Sequence, residues 1–166
     1  MAIRKLEIGG GPKPREGYEQ LDVVSRPHVD YVGHAWKIPT ADNSFSEVYG
    51  RHVFEHFSPY YAGKALEEFK RVLISGGRLH LIIPNLLFHM KQLTMPGMSE
   101  YVPMTNFDHA LSSIYGHQTV HPNEPEMCHK WGYTPTSFTK LLVDHGFKAK
   151  LIDCRECDIE IVGTTA

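Results

Sequence analysis

The 166 residues are 42% hydrophobic and 22% charged, with a formal net charge of −2 when histidine is neutral; this is the composition of an ordinary globule, and the chain 1–166 is read as one domain. No block of lysine or arginine offers the footprint of a phosphate-backbone binder, which sets nucleic acid aside as a partner. The most apolar stretch, Leu79 to Phe88, is broken by His80, Pro84 and Asn85 and falls short of the ~20 residues of a membrane span, and three cysteines make no even disulfide framework, so the expectation is a cytoplasmic protein without a membrane partner.

Strand and helix signals alternate along the chain, which argues for crossover units on a mostly parallel sheet. The first strand is Lys5 to Ile8, stopped by Gly9-Gly10-Gly11 and then by Pro12 and Pro14. The second is Glu19 to Val24, the third about Asp30 to Gly33, and the fourth Glu47 to Phe54 after an Asp42-Asn43-Ser44 turn. Ser58 caps the clearest helix and Pro59 takes its first position; Ala62, Ala65, Leu66, Phe69, Val72 and Leu73 recur at helical spacing until Gly76-Gly77. A fifth strand, Arg78 to Ile83, is a nearly continuous apolar run. Residues 84–133 are less regular, with short helices predicted near Leu86 to Leu93 and Phe107 to Tyr115, and read as an inserted lid and acceptor segment. Thr134-Pro135 opens a last helix, closed at Gly146, and Phe147 to Asp153 and Ile159 to Gly163 are two final strands forming an antiparallel edge ribbon.

A strand ending in Leu6-Glu7-Ile8-Gly9-Gly10-Gly11 puts glycines where the backbone turns sharply and can lie against a ligand. Asp22, at the carboxyl end of the second strand, stands where open α/β sheets hold ribose hydroxyls. Further on come Ile38-Pro39, Asp42-Asn43-Ser44-Phe45, Val53-Phe54-Glu55-His56, Gly76-Gly77 and Leu81-Ile82-Ile83-Pro84-Asn85. This ordered series resembles the class I, Rossmann-like methyltransferases that use S-adenosylmethionine, in their small-molecule branch, over residues 3–85 and again over 132–163. The resemblance implies a three-layer α/β sheet ordered 3-2-1-4-5-7-6 with strand seven antiparallel, S-adenosylmethionine as cofactor and methyl transfer to a small-molecule acceptor. Carried over, Glu7, Gly9, Gly10 and Gly11 match the first cofactor motif, Asp22 the ribose acid, Ala35 and Trp36 the adenine-flanking loop, and His52 and Val53 the end of strand four beneath the methionine moiety.

The chain departs from that pattern in places. Lys13 stands at the usual third glycine, His34 where an aspartate is common, and only Pro12 to Gly17 separate the glycines from the second strand region, so the helix that normally covers one side of the cofactor is reduced to a turn. That loss keeps open an alternative, a non-catalytic cofactor-binding or partner-binding module on the same fold. A nicotinamide enzyme would share the glycine loop and the acid but not the downstream series. No "NPPY"-like tetrad follows strand four, which argues against methylation of adenine in DNA.

The insertion concentrates His109, His117, His121 and His129, with Asp108, Tyr115 and Trp131 nearby, and lies where loops after strands four and five flank the crevice. His129 and His117 are the candidates for taking a proton from the acceptor. His52-Val53-Phe54-Glu55-His56 spells H-x-x-E-H, but a zinc peptidase needs both histidines on one helical face and this segment ends a strand. Cys154-x-x-Cys157 has no second pair to complete a zinc site, and no metal ligand is assigned from the sequence.

Overall fold

The computed structural model describes residues 4–118, 123, 125–154 and 156–166. One sheet is formed by β1 (Lys5–Ile8), β2 (Glu19–Asp22), β3 (Tyr31–Val32), β4 (Phe45–Arg51), β5 (Leu73–Pro84), β6 (Lys148–Asp153) and β7 (Asp158–Thr164). Its order is β3-β2-β1-β4-β5-β7-β6, with β7 antiparallel to both neighbours and the other pairs parallel, as the resemblance implies.

Helices α1 (Pro59–Val72) and α4 (Pro135–Asp144) form where the capping signals place them. Ser58 precedes Pro59 at the start of α1, and Thr134 with Ser137 makes a capping box on α4. Leu6, Ile8, Leu21, Val48, Leu79, Leu81, Ile83, Ile159 and Ile161 project from one face of the sheet into a single core with Leu66 and Phe69 of α1 and Phe138 and Leu142 of α4. Each such side chain contributes about 1.5–3 kcal/mol on burial.

Several boundaries move, the second strand ending at Asp22 and the fourth beginning at Phe45, and two of the shifts have a local reason. The fourth strand stops at Arg51 instead of Phe54, because His52, though its N–H still bonds Ile82, adopts a left-handed φ of 51° and turns the chain away; Phe54–His56 then coil into a 3-10 turn. The first helix ends at Val72 rather than at the glycines, and Leu73 already pairs with Phe45. Gly76, at φ 70°, sits in a bulge of β5 across which the register slips before Glu47 meets Arg78.

The reverse face of the sheet is polar: Lys5 and Arg78 both reach Glu47, and His80 contacts Glu160 at 2.7 Å. The layer expected there is supplied by the loop 9–18, which folds back over the strands as the short Pro12–Gly17 spacing allows. Arg15 donates its backbone N–H to Glu7 Oε2 at 2.6 Å and lays its guanidinium 4.3 Å from the centre of the Tyr49 ring.

The inserted segment carries α2 (Leu86–Gln92) and α3 (Asn106–Tyr115). Its ends meet at the tip of β5, where Leu86 N–H donates to the Tyr133 carbonyl at 3.0 Å. Gln92 Nε2, buried between the helices, donates to Asn106 Oδ1 at 3.1 Å and lies 3.0 Å from His109 Nδ1. His89 Nε2 donates to the Cys157 carbonyl and ties α2 to the β6–β7 turn. Among the described residues no helix is long and apolar enough to cross a membrane. His121 lies outside the described residues.

Candidate functional site

β1 and β4 are neighbours, and their carboxyl ends mark the point where the order of a doubly wound sheet reverses, the usual ligand crevice of such folds. Gly9 turns at φ 66°, and a Cβ there would stand 2.7 Å from Val53 Cγ2, so the two strand ends abut through a position that admits only glycine. At Gly10 a Cβ would collide with the side chains of Gln20 and Glu7; Glu7 is itself engaged, accepting from Gln20 Nε2 and from Arg15 N–H, both at 2.6 Å. Gly11 differs. It has φ 61°, and a Cβ on it would meet nothing within 4 Å, which leaves open space over this part of the loop.

Asp22 faces that opening. Its carboxylate accepts from Gly11 N–H at 3.3 Å and Val24 N–H at 2.8 Å, and Arg26 Nη1 lies 3.1 Å from Oδ2. Across the loop His28 Nε2 donates to the Gly11 carbonyl at 2.8 Å. Ala35 is buried in the core, and the Trp36 ring is stacked between His34, at 4.4 Å, and Tyr61, at 4.2 Å, so both faces of the indole are taken.

Five ionisable side chains, His52, Glu55, His56, His129 and Asp158, gather at the end of β4. His52 lies between two carboxylates, with Nδ1 3.5 Å from Glu55 Oε1 and Nε2 3.5 Å from Asp158 Oδ2. Burial works against a charged ring, but Asp158 and Glu55 outweigh it and raise the His52 pKa to about 9. Glu55 is 2% exposed, and neither carboxylate oxygen has a hydrogen-bond partner. Its backbone carbonyl accepts from Lys130 and Trp131, which pins the end of the insertion against the turn. His129, the candidate from the insertion, therefore comes to rest with Nε2 3.8 Å from Glu55 Oε1 and its ring edge-on to His56. Burial holds the His129 pKa below the usual histidine value. His117 is exposed just after α3, where it has His109 as an electrostatic neighbour.

The comparisons with known proteins agree with this geometry. Residues 16–81 match the family described as a methyltransferase domain. A methyltransferase of Aquifex aeolicus that depends on S-adenosylmethionine superposes with a TM-score of 0.60 at 16% identity, over 99% of this chain and 82% of that one. One from Mesorhizobium loti gives 0.63 at 12% identity, over 98% and 90%. The chain has the fold of the class I methyltransferases. A Haloferax volcanii relative of this fold, described as a putative methyltransferase in complex with the Trm112 activator, gives 0.55 at 12% identity over 99% and 85%. No curated protein matches the chain.

S-adenosylmethionine is the cofactor of this methyltransferase class. Several residues at the site carry no sequence signal of their own. Arg26 and His28 sit on the loop after β2, Tyr61 reaches Trp36 from α1, and the buried Tyr133 hydroxyl has no partner. Burial, with the Glu55 charge beside it, raises the Tyr133 pKa. Glu55 and His56 belong to the methyltransferase-like series in the sequence, but their meeting with His129 is visible only in the fold.

Proposed function

We propose that the chain is a methyltransferase that holds S-adenosylmethionine against Gly9, Gly10, Gly11 and Asp22 and methylates a small-molecule acceptor placed between the turn after β4 and the insertion. The observation that carries this reading is the open space over Gly11 beside Asp22, at the same sheet end as the Glu55–His56–His129 cluster. The bound cofactor supplies an electrophilic methyl group on a sulfonium, so the protein's work is chiefly positioning. Asp22 takes the ribose hydroxyls, with Arg26 giving way. Ala35 and Trp36 serve the adenine through the backbone of their loop, since the Trp36 ring is packed on both faces. Val53 and His52 lie beneath the methionine moiety. His129 serves the acceptor, with Glu55 beside it.

Calorimetry with S-adenosylmethionine, S-adenosylhomocysteine and NAD tests the cofactor. Micromolar binding of the first two without the third is expected, and tight NAD binding would overturn the reading. Asp22→Ala removes charge-assisted hydrogen bonds of ~1.5–3 kcal/mol and is expected to weaken binding roughly ten- to a hundredfold. An unchanged dissociation constant would mean that the carboxylate stays with Arg26.

One observation favours a second reading, a module that keeps the fold without transferring methyl groups: Arg26 already stands 3.1 Å from the Asp22 carboxylate that would take the ribose. Absence of binding by either adenosyl compound would select it.

A further inference from the structure

We infer that Glu55, His56 and His129 form a binding site for one divalent cation of the zinc, cobalt or manganese class. One ligand atom from each of the three lies within 4.8 Å of the others. A cation at ~2.0–2.2 Å from tetrahedral ligands brings its donors to roughly 3.4 Å from one another, a contraction that small side-chain rotations supply.

Two independent observations point to an ion. The first is the Glu55 carboxylate, 2% exposed, with both oxygens unpartnered. A buried charge without a hydrogen-bond partner costs several kcal/mol, and a cation is the partner that removes the cost. His52 stands 3.5 Å from Oε1, but Asp158 shares it.

The second is the state of the two imidazoles. His129 Nδ1 lies 2.8 Å from the Ser113 carbonyl and His56 Nδ1 lies 3.2 Å from the Cys128 carbonyl. A carbonyl only accepts, so each ring donates from Nδ1 and keeps a lone pair on Nε2. His129 aims that lone pair at Glu55. A metal-binding histidine typically has its other ring nitrogen held by a backbone carbonyl in this way. Two imidazoles and one carboxylate suit zinc, cobalt or manganese better than calcium, and three protein ligands leave coordination positions for an acceptor oxygen or water.

The site rests on the reading that this end of the crevice receives the acceptor, and it adds that the cluster acts through a bound cation rather than by direct proton transfer. A cation there lowers the pKa of a bound acceptor hydroxyl.

The test uses tag-free protein, stripped with a chelator and titrated with zinc(II) and cobalt(II), followed by calorimetry and, for cobalt, by visible absorption. One equivalent of each metal is expected to bind, with no thiolate charge-transfer band. Loss of a mere outer-shell partner weakens metal binding by ~10- to 100-fold, so Glu55→Gln and His129→Ala are each expected to weaken it at least about a hundredfold. If His129→Ala does not fold, His56→Gln takes its place. No metal binding, equal binding by the variants, or binding abolished by Cys154→Ser would overturn the site. Cofactor calorimetry on the same samples separates the two readings, since binding of S-adenosylmethionine without cobalt overturns the cation site alone.

Discussion

Replacing His129 with alanine is expected to lower methyl transfer about a hundredfold or more while leaving cofactor affinity nearly unchanged. Removal of a group that deprotonates or activates the acceptor typically costs ~10² to 10⁴ in turnover, and in the proposed reading His129, beside Glu55, serves the acceptor while Gly11 and Asp22 serve the cofactor. The side chain is only 9% exposed, and its loss leaves the Ser113 carbonyl without its ring donor, so ~1–3 kcal/mol of stability goes with it. The thermal midpoint and the S-adenosylmethionine dissociation constant must therefore be measured beside the rate. Release of S-adenosylhomocysteine across a panel of hydroxylated acceptors gives that rate. Full turnover in a folded variant would remove His129 from the chemistry and leave it as a packing residue.

The largest effect on stability is expected at Phe54. Its ring is fully buried and packs at 5.4 Å on Phe57, 5.7 Å on Tyr133 and 5.3 Å on Phe138, so it joins the turn after β4 to the end of the insertion and to α4. Truncating a phenylalanine in such a place typically costs ~3–5 kcal/mol, a large share of the ~5–15 kcal/mol that holds a domain together. Urea denaturation of Phe54→Ala should show that loss as a lower midpoint at constant slope. A change below about 1 kcal/mol would mean that the aromatic cluster collapses around the gap.

The sheet was legible because its code is periodic. Leu79, Leu81 and Ile83 alternate with residues of the reverse face, and the stripe from Ala62 to Val72 has helical spacing. Boundaries failed where one residue departs from its neighbours' geometry. Nothing in Arg51-His52-Val53 announces a left-handed histidine, and Gly76-Gly77 reads equally as a helix stop or a strand bulge, because both uses need the same residue. The glycine loop was legible as a sharp turn because positive φ at Gly9 and Gly11, and crowding by Val53, Gln20 and Glu7 at Gly9 and Gly10, restrict residue type. The hold of Arg26 on Asp22 and of Tyr61 on Trp36 was not, since each depends on how two segments turn towards one another. His117 and His129 looked alike in the sequence, and only the pinning of Lys130 and Trp131 to Glu55 brings one of them to the strand end. Read along the chain, H-x-x-E-H fails as a helical metal motif. Its Glu55 and His56, on a 3-10 turn, find a different partner from the far side of the insertion.

Among the described residues every helix follows β4, and the loop over the reverse face is no substitute for one during folding. β1, β2 and β3 have no crossover helix of their own, so Leu6, Ile8 and Leu21 have little to bury against until β4, α1 and β5 are in place. Nucleation then belongs to the β4–α1–β5 unit, a local crossover with a short loop to close, and the edge that carries Gly11 and Asp22 zips on afterwards through contacts distant in sequence. The β3–β2–β1 edge is thus the last part of the sheet to assemble.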